Sequence, residues 1–386
     1  MNMSKKNLRV GIVAGEASGD LLGASLINAL RDKVPGLSVE GIGGPDMQQA
    51  GCRSLYPMQL LSVMGLVEVL GKYLKIAGVR RALAEHFTEN PPDVFIGVDA
   101  PDFNLGLEKR LRTHGIKTVH YVSPQVWAWR EYRLKKIMQS VDLMLTLYPF
   151  EEAFYRDRGM AAVCVGHPLA DRIPMQPDQN AARTRLGLPL DKKVVAIMPG
   201  SRKMEISRLL QPFLRAAARC LQQRDDIHFA GSLLHDEAMD AVRDEIAELG
   251  LEGLPVSLYK GKSHDVLEAA DVVLLASGTI ALETMLYKKP MVVAYKLNWL
   301  TYHLVKALIK VRYVSLPNLL ANERIVPECL QDECTPERLA EEVLRWLNDG
   351  DALAELQQRF RKMHQDLQRN GADAASERIL QLVSTS

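Results

Sequence analysis

Nine short apolar runs recur along the chain, at 8–14, 39–42, 94–98, 118–122, 143–147, 194–198, 227–230, 272–275 and 291–294. Runs of this kind are the mark of parallel strands buried on both faces, and the helical patterns between them, such as 21–31, supply the crossovers. An α/β chain with two doubly wound sheets is the expectation. At 386 residues there is core enough for two domains. A Pro-rich polar stretch, 167–180, separates the two strand series and reads as a linker, which puts the boundary between Gly166 and Leu190. The expected domains are therefore 1–172 and 188–348. After Thr335 the pattern is helical and charged with no strand left to make, so the tail 349–386 must cap something. It packs back on the N-terminal domain or is exchanged with a second chain in a homodimer.

The balance of 48 basic and 47 acidic side chains gives a net charge of +1, which does not support nucleic-acid binding through bulk charge. The five cysteines are scattered, in neither a CxxC nor a zinc-like spacing, so a reducing compartment and no structural metal are expected. The N-terminal residues lack a secretory pattern, and no stretch reaches 18 uninterrupted apolar residues. A cytoplasmic protein is the reading, with peripheral membrane contact left open.

Four strand ends carry candidate chemistry, since ligands of open α/β sheets bind at the carboxyl edge. The first run ends in Gly15-Glu16-Ala17-Ser18-Gly19-Asp20. Either this turn faces a ligand, or its glycines serve close packing and Asp20 caps the helix. The run 94–98 ends at Asp99, where a carboxylate can take a proton from a hydroxyl, while Asp102 and Asn104 fit helix capping. The run 194–198 leads into Gly200-Ser201-Arg202, suited to gripping a diphosphate. The run 272–275 leads into Ser277-Gly278-Thr279 with Glu283 one helical turn on, so backbone N–H groups face an anion and the carboxylate faces vicinal hydroxyls.

Three other segments stand out. His120–Arg130 holds Trp127 and Trp129, whose rings suit a sugar or acyl chains as well as a core, and Arg130, Arg133, Lys135 and Lys136 form a basic run suited to an acceptor phosphate or a solvated face. Segments 60–81 and 296–313 combine apolar surface with local positive charge, as interfacial helices on anionic lipid do; a buried core helix is the alternative.

Together VAGEASGD (13–20), GVDAPDFN (97–104), HYVSPQVWAWR (120–130), MPGSR (198–202), LLASGTIALE (274–283) and YVSLPNLL (313–320) resemble the lipid-A-disaccharide synthases, bacterial inverting glycosyltransferases of the GT-B type. The resemblance implies two Rossmann-like domains facing across a cleft. It implies UDP-2,3-diacylglucosamine as donor and 2,3-diacylglucosamine 1-phosphate (lipid X) as acceptor, joined by a beta-1,6 bond with release of UDP. It also implies no cofactor or bound metal, and work at the inner face of the Gram-negative cytoplasmic membrane. On that footing Asp99 is the base, with Glu16 as the alternative. Gly200, Ser201, Arg202, Ser277, Gly278 and Thr279 hold the diphosphate, and Glu283 the ribose. Ser18, Trp127, Arg130 and Asn318 line the cleft or the acceptor side. Another UDP-N-acetylglucosamine-using GT-B transferase or epimerase is the alternative within the fold, though such enzymes need no large apolar surface. A Rossmann dehydrogenase would need the GxGxxG fingerprint, which is absent. A non-catalytic surface protein of this fold could dispense with Asp99, Arg202 and Glu283, yet all are present.

Overall fold

The computed structural model describes residues 7–61, 69–128, 131–298 and 312–385, with only the backbone given for 69–73. The chain forms two compact units, Met1–Asp171 with Leu367–Ser386, and Arg172–Asp366.

The first unit holds a parallel sheet of seven strands: β1 (Asn7–Ala14), β2 (Gly36–Ile42), β3 (Cys52–Ser54), β4 (Val94–Val98), β5 (Lys117–Tyr121), β6 (Leu143–Thr146) and β7 (Ala162–Cys164), in the order β3-β2-β1-β4-β5-β6-β7. The second unit holds a parallel sheet of six: β8 (Lys193–Met198), β9 (Ile227–Leu233), β10 (Val256–Lys260), β11 (Val272–Ala276), β12 (Met291–Tyr295) and β13 (Glu328–Leu330), in the order β10-β9-β8-β11-β12-β13. Val, Ile and Leu fill the central strands, and every residue of β4 and β11 is buried. Such strands must be covered on both faces, and helices do this.

Each order reverses direction once, between β1 and β4 in the first sheet and between β8 and β11 in the second. Loops leaving neighbouring strands at such a point turn to opposite faces and leave a crevice at the carboxyl edge. All four candidate turns stand at these two reversals.

The helix Gln179–Leu186 belongs to the second unit, although sequence alone left residues 173–187 between the domains. Asp178 caps it through the Ala181 N–H, and Gln179 Nε2 donates to Ala270 O at 2.8 Å. The return to the first unit begins at Leu367 rather than at 349. The helix Gly350–Leu367 is held to the second unit by the buried side chains of Phe360 and His364, with Lys288 Nζ donating to His364 Nδ1 at 2.7 Å. The last helix, Gly371–Ser384, inserts Ala375, Ile379 and Val383 into the core beneath the helix Ala17–Lys33, and Lys33 pairs with Asp373 at 2.8 Å.

Among the described residues no helix is long and apolar enough to cross a membrane. Of the apolar segment 60–81, Ile76 and Val79 pack into the core with Leu83 and Phe87, whereas Leu74 is 72 % exposed. Residues 62–68 of that segment and 299–311 of the other lie outside the described residues.

Candidate active site

In the second unit the turns after β8 and β11 line one concavity of about 330 Å³ together with the end of β9. Met198, Gly200, Ser201, Arg202, Ser277, Gly278, Thr279 and Glu283 all border it, so the seven donor-side residues expected from sequence come together. Ser232, Leu234, Ser263 and Glu205 join them. Ser232 lies on β9, the neighbour of β8, so the carboxyl-edge rule applied to that strand would have found it.

The two helices that start in this pocket differ at their N-termini. The helix Lys203–Leu221 carries its own acid: Glu205 Oε2 accepts the N–H groups of Ser201 and Arg202, both at 3.3 Å, and its Oε1 accepts from the Arg202 guanidinium at 3.2 Å. Gly200, at φ +113°, lets this happen, because a Cβ there would meet Glu205 Oε2 at 2.6 Å. The Arg202 side chain is otherwise 82 % exposed at the mouth. The helix Thr279–Leu286 has no acidic residue in its first turn, so its N–H groups and dipole are offered to an outside anion. One turn further in, burial pushes the Glu283 carboxyl above the usual carboxylate range, against the pull of the His264 ring 3.9 Å away. A half-buried carboxylate there is a hydrogen-bond acceptor for hydroxyls.

In the first unit the reversal brings Glu16 and Asp99 to neighbouring strand ends. The two loops touch: a Cβ on Gly15 would lie 2.8 Å from the Ala100 Cβ, so glycine is required. Glu16 is the exposed N-cap of the helix Ala17–Lys33 and makes no side-chain cap bond, and Ser18 is exposed in that helix's first turn. Asp99 and Ala100 both sit in the left-handed region, at φ 51° and 44°. Asp20 caps a helix, but the following one: its buried carboxylate accepts from Gly44 N at 2.8 Å, Asp46 N at 3.0 Å and Met47 N at 3.1 Å. Asp102 and Asn104 do not cap the helix Pro101–Thr113, whose N-cap is Ala100. Asp102 pairs with Arg133 at 2.5 Å, which occupies one member of the basic run. Among the described residues no group of three or more His, Cys, Asp and Glu side chains is arranged to hold a metal ion.

Residues 10–383 match the lipid-A-disaccharide synthetase family. The chain belongs to that family. It is 50 % identical over 378 residues to the lipid-A-disaccharide synthase of Pseudomonas paraeruginosa, a match covering 97 % of this chain and 98 % of the relative. Membership in the lipid-A-disaccharide synthetase family makes the protein an enzyme, a glycosyltransferase of lipid A biosynthesis. Its fold is that of the GT-B enzymes. It superposes on MurG of Acinetobacter baumannii with a TM-score of 0.57 at 13 % identity, covering 98 % of this chain and all of that one. The UDP-GlcNAc 2-epimerase of Neisseria meningitidis, solved with UDP-GlcNAc bound, gives a TM-score of 0.61 at 13 % identity with the same coverage.

The remaining site residues of this family member fare differently. Trp127 is half-buried and donates its Nε1–H to Glu151 Oε1 at 3.1 Å, with its ring edge-on to Phe150 at 4.8 Å. Phe150 stacks on Tyr148, and Tyr148 on His167, so an aromatic row borders the ends of β5, β6 and β7. Beside this row burial pushes the Glu151 carboxyl up to about 7 in spite of the donors around it, and within the row burial pulls His167 down to about 4. Trp129 and Arg130 lie outside the described residues.

Asn318 is corrected. Rather than lining a cleft, it is fully buried and spends all its polar capacity on its own loop. Its Nδ2 donates to Val326 O at 3.0 Å and Glu328 Oε1 at 2.8 Å, while its Oδ1 accepts from Ile325 N at 2.8 Å and Val326 N at 3.0 Å. Ser315 bonds the same Glu328 carboxylate, so YVSLPNLL is a knot tied to β13. A Pro-Asn pair in a turn has this bland role often.

Proposed function

We propose that the protein transfers the 2,3-diacylglucosaminyl group of UDP-2,3-diacylglucosamine to the 6-hydroxyl of 2,3-diacylglucosamine 1-phosphate with inversion, releasing UDP. The observation that carries the donor side is the second-unit pocket, where an acid-free helix N-terminus opens directly above a half-buried carboxylate. A diphosphate on the N–H groups of Gly278 and Thr279 with a ribose on Glu283 uses both features, and the exposed Arg202 supplies the positive charge that a departing UDP requires. In the first unit Asp99 takes the proton from the acceptor hydroxyl as its oxygen bonds to the anomeric carbon and the bond from that carbon to the diphosphate oxygen breaks. Glu16, on the neighbouring strand end, is the alternative base. Ser18, Trp127 and Arg130 serve the acceptor sugar and its phosphate.

Both substrates carry acyl chains, and the enzyme reaches them at the inner face of the cytoplasmic membrane through segments 60–81 and 296–313. Leu74, exposed on the first of these, supports that reading. Replacing Leu66, Val69 and Leu70 with Ser abolishes partitioning to anionic vesicles on this account; unchanged partitioning removes the segment from the membrane contact.

The test of the reaction is a mass-spectrometric assay of purified protein in detergent and excess EDTA, with donor alone and with donor plus acceptor. Acceptor-dependent disaccharide 1-phosphate together with UDP is the expected result. Product only after magnesium is restored contradicts the metal-free charge stabilisation, and no product in either condition contradicts the acylated substrates.

A further inference from the structure

Asp99 stands in a conformation that it does not adopt unaided. Two consecutive non-glycine residues, Asp99 and Ala100, have φ of 51° and 44°, where the Cβ of an L-residue crowds its own backbone. Such strain persists only where the surroundings over-determine it. Tyr121 O on β5 holds the Asp99 N–H at 2.8 Å. The Asp99 carbonyl is held by Asn104 Nδ2, also at 2.8 Å.

Asn104 lies one turn into the helix Pro101–Thr113 and is fully buried. Its amide nitrogen faces three carbonyls: Asp99 O, Val13 O at 3.3 Å and Val98 O at 3.5 Å. Three acceptors at one end of the side chain leave no choice of which end carries the NH2 group. Val13 is the next-to-last residue of β1 and Val98 the last of β4, so one amide reaches the backbone of both strand ends across the reversal where Glu16 and Asp99 emerge. The Oδ1 of the same side chain, by contrast, has no partner among the described residues. A buried polar atom left unsatisfied is costly, and an apolar side chain of this size would avoid the cost. The amide's donor end is therefore what the turn uses. The backbone also makes room for it: Gly97 on β4 has no space for a Cβ, which would meet Asn104 Cβ at 2.8 Å and also the Glu108 carboxylate.

We propose that Asn104 is a positioning residue of the transfer reaction, holding the strained Asp99–Ala100 turn so that the Asp99 carboxylate is aimed at the acceptor hydroxyl. The proposal rests on Asp99 being the base.

The test compares Asn104→Ala and Asn104→Asp with the parent in steady-state turnover across pH, with UDP affinity measured separately by calorimetry. Asn104→Ala loses about 100-fold in kcat, the effect of an ångström-scale misplacement, with UDP affinity unchanged. Asn104→Asp is the sharper variant. The titratable groups around it are Asp99, Glu108 and His120, the last two a buried pair at 2.7 Å. A neutral carboxyl at 104 donates its O–H to Asp99 O and keeps kcat within several-fold of the parent at the acid end. As pH rises this carboxyl ionises, loses its donor and repels the carbonyls, so kcat falls along a limb that neither the parent nor Asn104→Ala shows. Should Asn104→Ala not fold, that limb alone decides. Turnover within twofold of the parent in the variants at every pH overturns the proposal, and so does a loss matched by an equal loss of UDP affinity. Asp99→Asn, run alongside, separates the two levels. If it keeps native turnover, the base assignment fails and the positioning role with it; if it is inactive while the Asn104 variants are normal, the positioning role alone fails.

Discussion

The two sheets share one plan and differ in what they place at its reversal. In the first unit the ends of β1 and β4 display carboxylates, Glu16 and Asp99, on touching turns, the second of them strained. In the second the ends of β8 and β11 display glycine turns, helix N-termini and Arg202, with a carboxylate set one turn deeper. The first arrangement can accept a proton; the second offers an anion an acid-free helix N-terminus and the exposed Arg202, with the Glu205 carboxylate at the same pocket spent on its own helix. On the proposed assignments the same topology serves two chemistries, because the fold supplies only the location and the residues at four turns supply the rest.

If this division holds, mutations in the two crevices must fail in different ways. The largest effect belongs to Asp99→Asn, which lowers kcat by about 100-fold to 10,000-fold, the range of general-base catalysis, and leaves the donor KM near the parent's. Rapid-quench turnover checks it. Next come Glu283→Gln and Arg202→Ala, each removing a charge-assisted contact of about 1.5–3 kcal/mol: Glu283→Gln raises the donor KM by about 10-fold to 100-fold, and Arg202→Ala lowers the donor kcat/KM by the same factor, because its charge also serves the departing UDP. A kcat loss without a KM change in Glu283→Gln would erase the distinction.

Asn318→Ala sharpens the comparison from outside both crevices. It leaves the buried Val326 N–H without its acceptor and takes one donor from Glu328 Oε1, which keeps Ser315, costing about 1–3 kcal/mol of stability for the lost buried partner, and leaves kcat of the folded enzyme intact. Thermal unfolding beside turnover at low temperature distinguishes this from a role in the cleft.

The smallest effect is a pH slope. Glu151 titrates at about 7 in the folded state, above its ordinary value of 4.5, so the folded chain binds the proton more tightly and this group lowers stability as pH rises from 4.5 towards 7. His167, at about 4 instead of 6.5, acts in the opposite sense: its contribution is present above 6.5 and is lost as pH falls towards 4. The parent therefore shows a shallow net slope, and Glu151→Gln exposes stability that rises with pH between 4 and 6.5. Denaturant midpoints across that range, with tryptophan fluorescence as the probe, measure it.

The inner frame was legible in the sequence and its margins were not. The nine apolar runs correspond to the nine inner strands, each flanked on both sides by another. The four strands without such a run, β3, β7, β10 and β13, are the four sheet edges. An edge strand is short and partly exposed, as the half-buried residues of β10 are, so no continuous apolar stretch announces it. The candidate turns were legible for the same reason as the inner strands, since each ends a buried run with glycine or a carboxylate. Asn318 and Asn104 were misread because an asparagine near a turn or a helix start has several local uses, and only the three-dimensional partners separate a cap from a knot or a bracket. Glu205 escaped because its carboxylate serves its own helix N-terminus, a role that one sequence does not distinguish from a ligand contact.

The most direct test of the division between the crevices is UDP calorimetry paired with turnover on the same two preparations, Asp99→Asn and Glu283→Gln. The account predicts that Asp99→Asn binds UDP as the parent does while transferring almost nothing, and that Glu283→Gln binds UDP at least tenfold more weakly yet approaches parental kcat at saturating donor. Weakened UDP binding in Asp99→Asn, or full-strength binding in Glu283→Gln, would contradict it.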